Sequence, residues 1–524
     1  MIKKLLGKKT NTIAMAAVIL GAASLVSRFI GLYRDRVLLG LFGASRALDI
    51  YYASFRIPDF VYYFLISGVI SAGFIPVFIS YLQKDSDESW YLANDVLNFI
   101  IFVLIIVCSL MVVFMPYLAR LIAPGFELKS LVITIKMTRV MMLSPIFLGI
   151  SALFSGILQS SRRFLVYSLA PIMYNLGIIF GALFLVKYFG LVGLAYGVVL
   201  GAFLHMSIQL PTAYLLGFRW KPIFDLRFGG FKRVLKLVGP RFLSVFCYQI
   251  TFWVFTAFAS LLAIGSIAVY NTAYNIFSFP LGVLALSFAV AAFPKLSESA
   301  QNNDKKEYVR TFSITFRQIL FFILPASSMI IVLRLQIIQV AFKSGQFAWL
   351  DTLRIGQTLM FFCLGLFAEG LILLLIRGFL AWEDAWTPFI LAFFTAVIRI
   401  SFGWYFSKFL GVAGLALGFA IGSVFLIFML FIFLHRKVGF LDGKNILISG
   451  FKILSLSLVS VGLSYFILNY LTNLMPEIDP LKMFLKGGIT GIFGLSLYFL
   501  LSWIFKLEEF EGFKDRIFCR KLKT

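Results

Sequence analysis

Charge is what this chain has least of. Asp, Glu, Lys and Arg together supply 13% of its 524 residues, against roughly 25% in a soluble domain. That leaves too little polar surface to face water, so a soluble fold is excluded and the chain belongs in a bilayer. Histidine is nearly missing: only His205 and His435 occur, near helix ends, where loop-side capping accounts for them. Clustered His, Asp and Glu for acid–base chemistry are wanting, and no segment is large enough to hold a sugar nucleotide. An intramembrane lipid-linked glycosyltransferase or phosphatase is therefore the least favoured class, and the chain is not read as an enzyme. Cys108, Cys247, Cys363 and Cys519 are far apart with no C-x-x-C spacing, which indicates neither zinc nor a redox pair. No G-x-x-x-x-G-K-[ST] loop is present, so ATP is not the driver within this chain. No cofactor is expected; a coupling ion or the membrane potential remains open.

What the chain does have is long apolar runs. They recur near 13–41, 48–82, 92–118, 131–158, 166–188, 190–216, 235–262 and 268–296, then near 312–342, 354–380, 386–407, 411–435, 447–471 and 483–505. These predict an all-α polytopic membrane protein of about fourteen helices, since roughly 30 Å of hydrocarbon needs about 20 apolar residues. The run from Ile13 is read as a first transmembrane helix, not a cleaved signal, because it continues through Arg28. The net charge of +24 collects in short loops, as at Arg162 and Arg163, at Arg219 to Lys236, and beyond Lys514. This is the positive-inside pattern, and it places both termini in the cytoplasm of a cell with a multi-pass inner membrane protein. Nucleic acid is not an expected partner, because no basic stripe carries interleaved stacking aromatics. One loop dissents: Lys84-Asp85-Ser86-Asp87-Glu88 is acidic on the cytoplasmic side.

The chain also repeats itself. Gly190, Gly193, Gly197 and Gly201 recur as Gly411, Gly414, Gly418 and Gly422, an offset of 221 residues. Pro58 with Pro280, Pro76 with Pro294 and Gly156 with Gly378 fall at similar offsets. Small residues spaced by four let membrane helices approach closely, and two such ladders at a shared offset imply duplication. The expected organisation is a six-helix lobe at 1–216, a second at 217–440 in parallel pseudo-twofold repeat, and two extra helices with a tail at 441–524. In such folds the substrate site lies between the lobes.

Arg28, Arg34, Asp35, Arg36, Asp49, Arg56 and Asp59 lie within or beside the first two apolar runs. A charge at the membrane centre costs about 2.5–3.5 kcal/mol even on the lenient insertion scale, so these residues must face protein or water. Ser24, Arg28, Gly31 and Asp35 share one helical stripe; Asp49, Tyr52, Arg56, Tyr63 and Ser67 share another. Arg28 and Arg56 are the deepest and suit an anionic ligand, because the guanidinium fork donates paired hydrogen bonds to phosphate. Arg34 and Arg36 could instead snorkel, and Asp35 and Asp59 serve as counter-ions. The second lobe offers a mostly neutral face, Arg241, Ser244, Tyr248 and Thr251 on one helix and Asn271, Asn275 and Ser278 on the next. A cavity cationic on one wall and neutral-polar on the other fits an anionic head group carrying sugars; inter-helix packing explains the aromatic-polar stripe equally well.

The same residues resemble a known family. Ser27-Arg28-Phe-Ile-Gly31-Leu-Tyr-Arg34-Asp35, Phe42-Gly43-Ala44, Asp49 and Arg56-Ile-Pro58 are similar to the opening motifs of the MurJ (MviN) lipid II flippases of the multidrug/oligosaccharidyl-lipid/polysaccharide exporter superfamily. Ala123-Pro124-Gly125-Phe126, Gln209-Leu210-Pro211, Val238-Gly239-Pro240 and Phe279-Pro280-Leu-Gly282 continue the likeness in order, from about residue 13 to 440. The resemblance implies translocation of an undecaprenyl-diphosphate-linked peptidoglycan precursor from inner to outer leaflet by alternating access. It implies that Arg28, Arg34 and Arg56 meet the diphosphate, that Asp49 is a functional carboxylate, and that the two extra helices form a groove for the lipid tail. Asp35, Asn275, Tyr63 and Arg241 complete the expected substrate-binding set, and cell-wall synthesis proteins are candidate partners. Where relatives carry arginine, this chain has Tyr62, Tyr63 and Asn275. The alternatives with the same fold are a flippase for another polyprenol-linked polysaccharide unit or a cation-coupled drug antiporter; a cleft that is mainly basic argues against the latter.

Overall fold

The computed structural model describes residues 13–63, 69–476 and 479–511, with side chains described throughout except at 13–20, 69, 71–72, 86 and 237–245. All regular structure among the described residues is helical, as hydrocarbon demands when each N–H and C=O must be satisfied within its own segment. Among the described residues ten helices are long and apolar enough to cross a membrane, or eleven spans when a pair bent by 44° counts as one.

The chain divides into two compact units, residues 1–268 with 344–347, and 269–343 with 348–524. The first unit opens with α1 (Ile13–Phe42). The single span expected near 48–82 is broken into pieces: α2 (Arg46–Ser54), α3 (Arg56–Tyr62), and α4 (Ile75–Leu82) entered through a π-type turn at Val69–Phe74. Proline explains both breaks. Pro58 has no N–H to offer the Ser54 carbonyl, so α2 ends at Ser54 and Pro58 sits in the first turn of α3, where a missing donor costs little. Pro76 does the same at the start of α4. Then come α5 (Ser86–Ile122), α6 (Leu128–Ser160), α7 (Phe164–Phe189) and α8 (Val192–Leu215), and α9 (Gly229–Ser260). An apolar core of Phe74, Phe78, Leu92, Leu153, Phe154, Phe218 and Phe231 joins α4 to α9.

The acidic run that dissented from the charge rule has a local cause. Asp85 caps α5, accepting the N–H groups of Asp87 at 2.7 Å and Glu88 at 3.4 Å, where carboxylates also suit the helix dipole. Beyond it, Asn94, Asp95 and Asn98 hold the irregular segment before α9: Asn94 Oδ1 takes the Lys221 N–H at 2.8 Å, Asp95 Oδ1 takes the Asp225 N–H at 2.7 Å, and Asn98 Nδ2 donates to the Lys221 and Ile223 carbonyls.

The second unit contains α10 (Ser266–Gln301, whose first residues belong to unit one), α11 (Lys305–Phe342), α12 (Trp349–Leu364), α13 (Leu366–Ala381), α14 (Trp386–Leu410) and α15 (Val412–Val438). The two extra helices, α16 (Gly443–Leu474) and α17 (Pro480–Ile504), pack on each other and on α11. The repeat is visible in the helix pairs α7/α8 and α14/α15. Gly190 and Gly411 share a φ of +58° at the two equivalent turns, a backbone region that favours glycine. At Gly193 and Gly414 an added Cβ would overlap the backbone at Leu185 and at Phe406, again equivalent positions.

Candidate substrate-binding site

The charged face of α1 is built around a tight ion pair. Arg34 donates from Nη2 to Asp35 Oδ1 at 2.7 Å and from Nε to the same oxygen at 3.0 Å, while Nη1 reaches Asn175 Oδ1 on α7 at 3.0 Å. Asp35 is 2% exposed and Arg34 21%, so the arginine is held in place with part of its side chain still exposed. Gly31 lies one turn earlier on the same face, close enough to Asn175 that an added Cβ would touch it at 3.9 Å. Arg28 is half-buried, one further turn back.

Arg56, at the start of α3, is buried. Its Nε donates to Thr256 Oγ1 on α9 at 2.7 Å, its guanidinium lies 5.6 Å from the Phe252 ring, and its carbonyl accepts the Trp253 indole N–H at 3.1 Å. Asp59, an expected counter-ion for the neighbouring arginines, is half-buried on α3 three residues after Arg56. Tyr63 is 44% exposed, its ring 5.3 Å from Tyr62. These elements place two arginine groups within unit one, Arg34 with Asp35 and Asn175, and Arg56 with Thr256.

Asp49 sits apart from that cluster. It is 1% exposed, and its carboxylate accepts the N–H groups of Gly265 at 2.7 Å and Ala268 at 3.0 Å, with Arg46 at 3.9 Å. It pins the first turn of α10. Asn275 lies in unit two, half-buried, with its carbonyl accepting the Ser278 hydroxyl at 3.0 Å. The side chains of Arg241 and Ser244, and Ser67 altogether, lie outside the described residues. Thr251 turns its hydroxyl to the Cys247 carbonyl of its own helix at 3.2 Å, and the exposed Tyr248 ring lies tilted 5.2 Å from Phe252, one turn along the same helix. His205 is not a loop-side cap: its Nδ1 is 2.6 Å from Ser151 Oγ, tying α8 to α6.

One ion pair was not read from the sequence, which marks Glu369 as the second lobe's deeply placed acid but not its partner. Glu369 on α13 pairs with Arg399 on α14, and Ser423 on α15 joins both, accepting from Arg399 Nη2 at 2.8 Å and donating to Glu369 Oε1 at 2.7 Å. The signal was available: Arg399 is a lone cation inside an apolar run, the same clue that singled out Arg28 and Arg56. Among the described residues no cluster of three or more His, Cys, Asp or Glu side chains could hold a metal.

Residues 39–483 match the family model described as lipid II flippase MurJ. A probable lipid II flippase MurJ of Buchnera aphidicola from Schizaphis graminum is 28% identical over 518 residues, 97% of this chain and all of the relative. The lipid II flippase MurJ of Burkholderia cenocepacia is 24% identical, covering 95% and 98%. In fold, the chain resembles a lipid II flippase MurJ in an inward closed conformation, with a TM-score of 0.77 at 23% identity over 93% of this chain and 98% of that one. An inward-facing multidrug resistance transporter of the MATE family lies further off, at a TM-score of 0.67 and 18% identity over 81% and 98%. The ordered motifs, the polytopic helical fold and the match across most of the sequence agree: this chain belongs to the lipid II flippase MurJ family.

Proposed function

We propose that the chain is a flippase that carries polyprenyl-diphosphate-linked peptidoglycan precursor, lipid II, from the inner to the outer leaflet of the cytoplasmic membrane by alternating access. The observation that carries this is the family match across residues 39–483. The polar residues of α1 and α3 support it: Arg28, Arg34 and Arg56 outnumber Asp35 and Asp59, a net positive charge within segments where hydrocarbon would otherwise tolerate none. Arg28 and Arg34 present guanidinium to the diphosphate. Arg56, already bonded to Thr256, supplies field and holds α3 on α9. Asp35 and Asp59 set the strength of that field; Tyr63, Arg241 and Asn275 complete the proposed substrate-binding set. Asp49 acts through the backbone it pins. The lobes are 1–216 and 217–440, with 441–524 added for the lipid tail, and both termini are cytoplasmic.

A diphosphate leaving an inside-negative cell moves about two negative charges down the potential, worth about 4–5 kcal/mol per 100 mV. That supplies a driving force without nucleotide hydrolysis. The test is complementation: this gene should sustain growth of a bacterium depleted of its own lipid II flippase, and Arg28→Glu should abolish the rescue while leaving membrane insertion intact. Failure by the inserted wild-type chain would move the cargo to another polyprenol-linked glycan, a reading favoured by the uncharged Tyr62, Tyr63 and Asn275.

A further inference from the structure

The Glu369–Arg399–Ser423 group has no counterpart in the first copy of the duplicated core. At the offset of 222 residues that relates Gly156 to Gly378 and Gly181 to Gly403, Glu369 corresponds to Phe147 and Arg399 to Gly177; at the 221 of the glycine ladder, Ser423 corresponds to Ala202 and Phe419 to Val198. The backbone arrangement is shared. In unit one an added Cβ at Gly177 would overlap Gly201, so those two glycines form a rung of the helix crossing; in unit two the same rung is Arg399 against Gly422, where an added Cβ would overlap the arginine stem. The helix pair therefore closes without any charge, as unit one demonstrates, and unit two carries a carboxylate, a hydroxyl and a guanidinium that its architecture does not require.

Their arrangement is that of a cation receptor. Glu369 supplies the charge and Ser423 an oxygen, and Phe419 offers its ring face 4.0 Å from the guanidinium carbon, a distance at which cation–π attraction is strong. Gly422 leaves the stem its path. Arg399 and Glu369 are 6% and 14% exposed, and Arg399 Nη2 makes both polar contacts while its Nε, also buried, has no acceptor. A partnerless carboxylate in this setting would draw in a cation from solution, because an unpaired buried charge is costly.

We propose that Glu369, Ser423 and Phe419 form a guanidinium receptor inside unit two, filled by Arg399 as a tethered cation, so that this acid takes no exchangeable ion. The receptor is specific for a planar guanidinium over a spherical monovalent cation, because the ring face and the oxygens of Glu369 and Ser423 contact different parts of a flat group. The inference stands on these four side chains and holds whatever the cargo.

The test is thermal unfolding of the purified full chain in sodium, potassium or choline chloride, with and without low-millimolar guanidinium chloride, and with urea as the neutral control. The wild-type midpoint should be the same in all three salts. Arg399→Ala should unfold several degrees lower and recover at least half of that loss in guanidinium, with none in urea or choline. The double variant Arg399→Ala with Glu369→Gln should regain stability with no added cation, because the stranded charge is gone. If Arg399→Ala yields no folded protein, recovery of folded yield by the double variant supports the receptor and failure of both overturns it. A single variant as stable as wild type would also overturn it. So would a sodium-dependent rise in the wild-type midpoint that Glu369→Gln removes.

Discussion

Asp49 is an acid that the family resemblance assigns a functional role, and in the structure its two carboxylate oxygens are taken by the Gly265 and Ala268 N–H groups. The first belongs to the residue just before α10 and the second to its first turn, where N–H groups lack partners within the helix. Asp49→Ala would leave both donors buried and unpaired, at about 1–3 kcal/mol for each lost acceptor. Asp49→Asn keeps one neutral acceptor and should cost less. Thermal unfolding should therefore rank wild type above Asn above Ala. A variant with unchanged stability and lost transport would instead make Asp49 a direct ligand. A second acid, Asp384, lies between α13 and α14, outside the spans. Burial raises its pKa, but hydrogen bonds from Lys437 Nζ at 2.7 Å and from the Thr387 N–H and hydroxyl outweigh that, so it titrates below the usual carboxylate range. A depressed folded pKa stabilises above the unfolded value, near 3.9, and that stability is lost as pH falls through the folded one. Asp384→Asn should then destabilise by up to about 1 kcal/mol at neutral pH through loss of the Lys437 ion pair, with the gap to wild type closing as pH falls below about 4. A gap that persists unchanged at acid pH would show that the carboxylate charge is immaterial there.

At the scale of helices, the glycine ladders make different demands on the two copies. A Cβ at Gly201 would overlap the Tyr174 carbonyl, which is fixed backbone; a Cβ at Gly422 would overlap the Arg399 side chain, which can shift. Both alanine substitutions should destabilise, in the range of about 1–3 kcal/mol for overpacking, with Gly201→Ala the worse of the two. Equal effects would mean that Arg399 is held as rigidly as backbone. The ladders were legible in the sequence because close helix approach requires small residues at fixed spacing. The breaks in the 46–82 region were not read, although Pro58 and Pro76 marked them, because hydropathy sums over a window and is blind to one missing N–H. The acidic run at 85–88 looked like a topological exception for a related reason. Charge counting sees net sign, whereas Asp85 is a helix cap, and Asp87 and Glu88 line a pocket of about 560 Å³ together with Arg219 and Lys221.

For the molecule as a whole, the apolar runs fixed where helices lie, since in hydrocarbon a helix is the only solution for a lone segment. Which polar side chains meet was harder to read, because spacing along one helix says nothing about its neighbours: Asn175 and Thr256, the partners of Arg34 and Arg56, come from helices read only as apolar spans. The cargo's charge carries a further consequence. Outward movement of a diphosphate head group runs down an inside-negative potential. If the chain only equilibrates its cargo, the leaflet distribution is set by the charge that crosses. For two charges and 100 mV that amounts to about three decades. In proteoliposomes, a valinomycin-imposed inside-negative potential of about 100 mV should shift labelled lipid II toward the outer leaflet by up to about a thousandfold, and reversing its sign should shift the lipid inward. A smaller factor measures the charge that travels with the head group, as Arg28 or Arg34 would if they moved part of the way across the field. A distribution indifferent to the sign would mean that the crossing unit is neutral, and the driving force would then have to come from consumption of the precursor on the far side.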